Sequence, residues 1–239
     1  MHITVEEFKK RIEYSLCQQF ASENDVRSFC EDAKSVGVGV VCVNPVNVAL
    51  TAQLLKNEPM EISGNIGFPF GSHPTESKAL ETEMAVQDGA TQIDMVMQIG
   101  ALKSKKDQIV QMDIEAVVEK AQGRIVKVII EVWVLTEEEK QRASKLVETA
   151  GAHLVKTSTG VRTQYLQMVN SNPQGATIED ILLIRKTVSN KMRVKASGGI
   201  YTLDDALEFF RAGADQLGVS KGAELIKEFQ LRFPNGIEI

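Results

Sequence analysis

The sequence has few of the residues that cross-link a chain or bind a structural metal. It contains three cysteines, Cys17, Cys30 and Cys42, so any pairing leaves one thiol over, and no CxxC motif occurs. The three histidines are scattered along the chain. These observations argue against a disulfide framework and a zinc site. We therefore expect no metal or other cofactor, and reduced, buried thiols favour the cytoplasm.

The sequence also lacks an excess of basic residues and a long apolar run. It has 27 Lys and Arg against 32 Asp and Glu, a net charge of −5. Proteins whose main partner is nucleic acid are usually basic, so we expect no nucleic-acid partner. The longest apolar stretch, residues 38–43, is far shorter than the ~20 residues that span a bilayer. The first residues contain no run typical of a signal peptide, so no membrane partner is expected either.

Short β-branched runs alternate with longer segments of helical periodicity. Of the 239 residues, 43% are hydrophobic and 25% are charged, and a chain of this length buries roughly 70–75% of its unfolded surface. The pattern predicts eight strands, at residues 12–16, 38–43, 62–66, 92–97, 126–132, 153–157, 193–196 and 216–219. Several of these are nearly continuous apolar runs, which is typical of a parallel sheet covered on both faces.

Helix-start signals occur between the predicted strands. A short helix is predicted at about residues 3–11, and Thr136 opens a Thr-x-x-Glu capping box. Thr177 and Thr202 are each followed by acidic residues, which favour a helix N-terminus. The alternation predicts an α/β protein, a (β/α)8 TIM barrel built as a single domain over residues 1–239. A doubly wound sheet is the alternative, but no GxGxxG motif follows the first strand.

Ionisable side chains occur in four of the predicted strands. Asp94, Lys127, Lys156 and Lys195 lie within strands, and Glu131 follows Lys127 at an even spacing. TIM-barrel active sites lie at the C-terminal ends of the strands, and a buried charge is costly unless it is paired. A lone strand-end lysine is more often a surface residue, and a lone aspartate can cap a loop. We interpret Lys127 and Glu131 as a buried ion pair that supports the site.

The lysines at 156 and 195 indicate imine chemistry. A lysine attacks a carbonyl only as the free amine, and both burial and a nearby cation lower its pKa. If Lys156 and Lys195 lie on neighbouring strands, about 4.8 Å apart, their ammonium groups approach and one of them tends to lose its proton. Asp94 could then take and return protons, directly or through water.

Three glycine-bearing turns follow the last three predicted strands. They are Ser158-Thr159-Gly160, Ser197-Gly198-Gly199 and Gly218-Val219-Ser220-Lys221-Gly222. Glycine lets backbone N–H groups approach an anion, and the helix N-termini that follow add a favourable dipole. A phosphate site at the end of the last strands recurs in TIM barrels, so we favour phosphate binding over simple tight turns. The long loop predicted at 161–175 borders this end, and such loops are often functional.

Six segments together resemble the deoxyribose-phosphate aldolase family. They are Val41-Cys42-Val43-Asn44-Pro45, Gly67-Phe68-Pro69-Phe70-Gly71, Gln92-Ile93-Asp94-Met95-Val96, Lys127-Val128-Ile129-Ile130-Glu131, Val155-Lys156-Thr157-Ser158-Thr159-Gly160 and Val194-Lys195-Ala196-Ser197-Gly198-Gly199-Ile200. The resemblance covers about residues 12–222, and the combination of KTSTG with KASGG is its most specific part.

The resemblance implies a lyase: a class I aldolase that reversibly cleaves 2-deoxy-D-ribose 5-phosphate to acetaldehyde and D-glyceraldehyde 3-phosphate. It implies that Lys156 forms the Schiff base, that Lys195 lowers the pKa of Lys156, and that Asp94 relays protons. It assigns the phosphate contacts to Gly160, Gly198, Gly199, Gly218 and Ser220. The further substrate contacts that we expect are Lys221, Glu13, Ser15 and Cys42. From the residues alone, Cys42 fits a core position better than a nucleophile.

Several positions depart from the family pattern. Glu13 and Ser15 replace an Asp–x–Thr pair, Tyr201 replaces a polar residue, Lys221 replaces a serine, and the loop at 161–175 is longer. These departures leave open a class I aldolase with a different acceptor aldehyde, and a non-catalytic sugar-phosphate sensor is the alternative from another class. The expected partner is a small phosphosugar. A homodimer is an expectation for barrels of this kind, not a deduction.

Overall fold

A computed structural model describes residues 2–161 and 175–239 of the protein. Its strands are β1 (His2–Ile3), β2 (Ile12–Leu16), β3 (Val40–Val43), β4 (Glu61–Ile66), β5 (Gln92–Val96), β6 (Ile125–Ile129), β7 (Leu154–Lys156), β8 (Arg193–Ser197), β9 (Gln216–Val219) and β10 (Ile237–Glu238). Strands β2 to β9 are parallel and close into a barrel, in which β9 pairs with β2. The fold is therefore a TIM barrel, as predicted, and the doubly wound alternative is wrong.

Helices follow the strands around the outside of the barrel. They are α1 (Val5–Arg11), α2 (Glu23–Val36), α3 (Val48–Leu54), α4 (Thr75–Gln87), α5 (Ile99–Lys103), α6 (Asp107–Lys120), α7 (Glu137–Thr149), α8 (Ile178–Thr187), α9 (Leu203–Arg211) and α10 (Gly222–Arg232). Thr136, Thr177 and Thr202 each form a capping box, in which the threonine side chain and an acidic side chain satisfy backbone N–H groups. In the described ranges, no helix is long and apolar enough to cross a bilayer.

Two strand boundaries differ from the sequence prediction by two or three residues, and the others agree within one residue. Strand β3 begins at Val40 instead of residue 38, because Gly39 packs against the α1 backbone, where a Cβ would lie 2.6 Å from Lys10 Cα. Strand β6 ends at Ile129 instead of residue 132, because Glu131 adopts a left-handed conformation with φ of 55°. Most of the loop predicted at 161–175 falls on residues 162–174, which lie outside the described residues.

The alternation of side chains along the strands separates the core from the barrel interior. On β5, Ile93 and Met95 are fully buried in the apolar layer beneath the helices. Asp94 lies between them and faces the opposite way, where it contacts side chains from other barrel strands. Burial of the outward-facing residues stabilises the barrel, while the inward-facing positions carry the charged groups.

Candidate active site

Strand register brings the ionisable residues of the sequence prediction into two adjacent layers of the barrel. Asp94 on β5 pairs in register with Lys127 on β6. Lys156 on β7 pairs with Lys195 on β8. Because β7 is offset so that Leu154 is the partner of Lys127, Lys156 lies two residues nearer the C-terminal end of the barrel. Lys127 therefore forms the floor of the site and Lys156 lies above it.

Asp94 is the centre of this cluster. Its Oδ2 accepts hydrogen bonds from Nζ of Lys156 at 2.5 Å and from Nζ of Lys195 at 2.7 Å. Its Oδ1 accepts from Nζ of Lys127 at 2.7 Å and from Oγ of Ser63 at 3.0 Å. Every one of these side chains is buried. The two amines that the sequence placed on neighbouring strands thus share one carboxylate oxygen.

Glu13 is the second carboxylate of the cluster. Its Oε2 accepts from Lys127 Nζ at 2.6 Å, its Oε1 accepts from Lys195 Nζ, and the side chain is fully buried. Glu13 is an expected substrate contact, but both of its oxygens are already held by lysines. The glutamate side chain reaches these amines from β2, so Glu13 is part of the ion network, and its contact with substrate stays a prediction.

The expected ion pair between Lys127 and Glu131 is wrong. Lys127 Nζ contacts Glu13, Asp94 and Ser63 inside the barrel. Glu131 lies beyond the end of β6, and its left-handed backbone breaks the alternation that would have placed it on the same face. Its carboxylate accepts instead from the Thr159 hydroxyl at 2.7 Å.

The charges in the cluster do not balance, because three ammonium groups share two carboxylates. Burial acts to raise the pKa of Asp94, but the three lysines outweigh it and hold the pKa well below its usual range. Burial acts to lower the pKa of Lys156, but Asp94 and Glu13 outweigh it and raise the pKa. For Lys195, burial prevails over those carboxylates, helped by the charges of Lys156 and Lys127, and the pKa is lowered.

The resemblance implies that Lys195 lowers the pKa of Lys156, yet the net shift of the Lys156 pKa in the free site is upward. Among the three lysines of the cluster, Lys195 is the one whose pKa is lowered. Both amines contact Asp94 Oδ2, but at Lys195 burial and the charges of Lys156 and Lys127 outweigh the carboxylates. Lys156 is nevertheless the lysine of the cluster with measurable exposure, 3% against none for Lys127 and Lys195. A carbonyl that enters the barrel mouth therefore reaches Lys156 first.

The predicted phosphate turns lie together at the C-terminal end of the barrel. Gly160 and Gly198 have φ of 74° and 84°, and a Cβ on Gly198 would lie 3.2 Å from Gly160 Cα. Gly199 follows Gly198, and the exposed residues Ser220 and Lys221 directly precede α10. These backbones approach so closely that side chains there would fill the space between them.

Gly218 was also predicted to contact the phosphate, but it does not lie in these turns. It lies within β9, not in the turn after it, and is buried. A Cβ at this position would lie 2.8 Å from Ser197 Oγ and 3.0 Å from Lys195 Cε. The absence of a side chain makes room for the Lys195 stem, so Gly218 shapes the ion cluster.

Strand β4 contributes two buried polar residues that the sequence prediction missed, Ser63 and Asn65. Ser63 bridges Asp94 and Lys127. Asn65 Nδ2 donates to Cys17 Sγ at 3.1 Å, and its Oδ1 accepts from Cys42 Sγ at 3.4 Å. The period-two alternation of polar residues in Glu61-Ile62-Ser63-Gly64-Asn65 was the signal that could have identified both.

Cys42 is fully buried beside the cluster, and Ser15 is its half-buried register partner on β2. A hydrogen bond from Cys17, burial and the nearby acidic groups raise the pKa of Cys42 well above its ordinary value. Cys42 Sγ and carboxylate oxygens of Glu13 and Asp94 lie within 4.8 Å of one another, as metal ligands do. The carboxylates of Glu13 and Asp94 already accept hydrogen bonds from lysine ammonium groups, which provide the positive charge that a metal cation would bring.

The fold and the site together define a TIM barrel with a buried lysine–carboxylate centre inside it. The sequence matches the family described as DeoC/LacD family aldolase over residues 9–227. The chain therefore belongs to this aldolase family.

Curated relatives and solved structures agree with this assignment. The chain is 44% identical to a deoxyribose-phosphate aldolase of Streptococcus sanguinis over 218 residues, covering 91% of this chain and 94% of that protein. It is 44% identical to one of Bacillus subtilis over 217 residues, covering 90% and 93%. The tetrameric deoxyribose phosphate aldolase of Aeropyrum pernix superposes with a TM-score of 0.84 at 29% identity, covering 95% of this chain and 92% of that one.

Proposed function

We propose that this protein is a class I aldolase that reversibly cleaves 2-deoxy-D-ribose 5-phosphate to acetaldehyde and D-glyceraldehyde 3-phosphate. The observation that carries the proposal is the convergence of Lys156 and Lys195 on the same oxygen of Asp94. One amine is reached from the barrel mouth, and the other readily gives up a proton. The names of the curated relatives support this substrate over one with a different acceptor aldehyde. They also favour an enzyme over a non-catalytic sugar-phosphate sensor.

In the first step, Lys156 becomes the nucleophile by passing its proton within the cluster. Lys195 loses a proton most readily, and Asp94 Oδ2 contacts both amines. Once Lys195 has given its proton to solvent, a proton that moves from Lys156 to Lys195 across this oxygen leaves Lys156 as the free amine. The amine adds to C1 of the open-chain aldehyde, and loss of water from the carbinolamine gives the iminium.

In the second step, the C2–C3 bond of the iminium breaks. Its electron pair passes to C2 as the iminium becomes an enamine, and the C3 hydroxyl gives its proton to a base as C3 becomes the aldehyde carbon of glyceraldehyde 3-phosphate. Asp94 acts as this base, directly or through water. As the iminium becomes an enamine, the nitrogen of Lys156 loses its positive charge, so the neighbouring carboxylate becomes more basic while the bond breaks. The same proton returns to C2, and hydrolysis releases acetaldehyde.

The phosphate is proposed to bind at the turns after β7, β8 and β9. Gly160, Gly198 and Gly199 offer closely approaching backbone there, and Ser220 and Lys221 stand at the N-terminus of α10. Backbone N–H groups, a hydroxyl, an ammonium group and the helix dipole are all suited to a phosphate dianion. Ser15, on the β2 strand next to Cys42, is proposed to contact a sugar hydroxyl.

Borohydride trapping tests this function. The protein is incubated with acetaldehyde, reduced and mapped by peptide mass, and cleavage of 2-deoxy-D-ribose 5-phosphate is assayed in parallel. We expect a two-carbon adduct on Lys156 and release of acetaldehyde from the sugar phosphate. Lys156→Leu serves as the negative control, and Lys56→Leu, at an exposed position, serves as the matched control. A folded protein without the Lys156 adduct contradicts the imine mechanism.

We also propose that the protein acts in the cytoplasm as a homodimer. Its three thiols are free, as in reducing compartments. Helices α4 and α6 pack together and expose Leu80, Met84, Ile109 and Met112, each more than 40% exposed. An apolar surface of this kind favours association of two copies through the same face. Light scattering is expected to give the mass of a dimer, and Met84→Glu with Met112→Glu is expected to give a monomer.

A further inference from the structure

Glu131 is a buried carboxylate that the reaction described above does not use. It is 4% exposed, and it is one of the few non-glycine residues with positive φ, at 55°, in the described ranges. A left-handed conformation at a residue with a Cβ costs free energy and persists only where surrounding contacts enforce it. Glu131 therefore carries two free-energy costs, one for burying its carboxyl group and one for its unfavourable backbone conformation.

In the described ranges, the side-chain hydrogen bonds of Glu131 all go to Thr159, within the segment of residues 156–161. Both carboxylate oxygens accept from the Thr159 backbone N–H at 3.4 Å, and Oε2 accepts from the Thr159 hydroxyl at 2.7 Å. The flanking residues bind the same segment, because Ile130 N donates to Lys156 O and Val132 N donates to Thr157 O. The chain around Glu131 thus runs beside the segment after β6 has ended.

The hydrogen bonds between the Glu131 carboxylate and Thr159 form a clasp that holds residues 156–161. This segment joins the two ends of the proposed site. It begins at Lys156, whose amine contacts Asp94, and it continues to Gly160, in the turn proposed to hold the phosphate. Thr159 also accepts at its hydroxyl from Val161 N at 3.2 Å, so the clasp extends beyond Gly160. Any shift of Thr159 changes the distance between the amine and the phosphate turn.

We propose that Glu131 is a positioning residue, whose carboxylate holds Thr159 and thereby fixes the spacing between the Lys156 amine and the phosphate turn at Gly160. This inference rests on the proposed function, because the spacing matters only for a substrate that carries both a carbonyl and a phosphate. It identifies a determinant of the preference for phosphorylated over unphosphorylated sugars. A substrate whose carbonyl and phosphate match this spacing is bound at both groups at once, which orients it for reaction.

The clasp also depends on pH. In the described part of the chain, the groups that act on the Glu131 carboxyl are the hydroxyl and backbone N–H of Thr159 and the Lys156 ammonium. Burial raises the pKa of Glu131 to about 7, against the opposing effects of Thr159 and Lys156. Above this pH the carboxylate accepts both Thr159 hydrogen bonds. Below it, the protonated group keeps fewer acceptor sites and the clasp loosens.

The experiment compares kcat and KM for 2-deoxy-D-ribose 5-phosphate and for unphosphorylated 2-deoxy-D-ribose, at several pH values on both sides of neutrality. The variants are Glu131→Gln, which keeps the shape without the charge, and Thr159→Val, which removes the hydroxyl. Thr159→Ser restores the hydroxyl, and Glu58→Gln is the matched control at an exposed glutamate. Circular dichroism confirms that each variant is folded.

We expect Glu131→Gln and Thr159→Val to lower the preference for the phosphorylated substrate roughly 10-fold, the size of a lost hydrogen bond to a charged group. The loss should appear mainly in KM, and Thr159→Ser should recover most of it. In the wild type, the preference should fall as the pH drops through about 7. Glu131→Gln should lose the part of this pH dependence that comes from titration of Glu131. The part that comes from titration of the substrate phosphate itself should remain.

Two results overturn the inference. In the first, the wild type cleaves the phosphorylated sugar, but Glu131→Gln and Thr159→Val either lose activity equally on both substrates or lose none on either. Glu131 then has no positioning role, and the proposed function stands. If the wild type cleaves neither substrate, the proposed function and the inference both fail.

Discussion

Lys156 and Lys195 are register partners on neighbouring parallel strands, and their Nζ atoms lie 2.5 and 2.7 Å from the same oxygen of Asp94. Two like charges are brought together by the strand pairing, and the carboxylate offsets their repulsion. When Lys195 has lost its proton, a single proton transfer across Asp94 changes which of the two amines is neutral. The nucleophile and the group that receives its proton are therefore built as one unit.

Lys195→Leu is predicted to shift the pH optimum of activity upward. The substitution removes the amine with the lowered pKa and also removes a positive charge beside Lys156. The Lys156 ammonium, already stabilised by Asp94, then holds its proton more tightly, so the free amine forms only at higher pH. The pH–rate profile measures this. A rate that falls equally at every pH would remove Lys195 from the proton-transfer role.

Asp94→Asn is predicted to separate imine formation from turnover. The carboxylate raises the pKa of Lys156, so its loss lowers that pKa and makes the free amine more available. The variant should still form the acetaldehyde adduct under borohydride, while cleavage of the sugar phosphate should fall by roughly 100-fold or more because the proton relay is gone. Trapping and steady-state assays on the same preparation test this. Parallel loss of both activities would mean that Asp94 mainly holds Lys156 in place.

Lys127→Met is predicted to destabilise the fold. Lys127 Nζ is fully buried and pairs with both Glu13 and Asp94. Removing one partner from such a network typically costs about 3–5 kcal/mol, because buried carboxylates lose a counter-charge. Chemical denaturation measures the change in the free energy of unfolding.

The matched control for Lys127 is Lys34→Met. Lys34 pairs with Glu31 on the surface of α2, where water screens the interaction, so a much smaller change is expected. Equal effects of the two substitutions would contradict the importance of the buried network.

Gly218→Ala is predicted to lower turnover by displacing Lys195. A Cβ at this position would meet Lys195 Cε at 3.0 Å and Ser197 Oγ at 2.8 Å. Because the cluster is fully buried, the lysine stem has to shift and its contact with Asp94 lengthens. Gly100→Ala is the control, since no atom lies within 4 Å of a Cβ there. The two variants are compared by kcat and thermal unfolding, and an unaffected kcat for Gly218→Ala would show that Lys195 tolerates the shift.

The sequence alone predicted the barrel and singled out the residues proposed to react. Alternation of apolar strands with capped helices requires layers of helix over parallel strand, and eight such units without a GxGxxG motif favoured the barrel over a doubly wound sheet. Asp94, Lys156 and Lys195 stood out because a charge inside an apolar strand is costly unless it is used or paired. These inferences depend on local periodicity, which the chain carries in its order of residues.

Only the tertiary structure decided which charge pairs with which. Lys127 binds Glu13 and Asp94 rather than Glu131, because the register offset and the left-handed turn at Glu131 separate residues that sequence spacing had placed on one face. The pKa directions of Lys156 and Lys195 were likewise set by the charges that surround each amine. Electrostatic energies in a buried site vary steeply with the distances between charges, and those distances arise from strands distant in sequence.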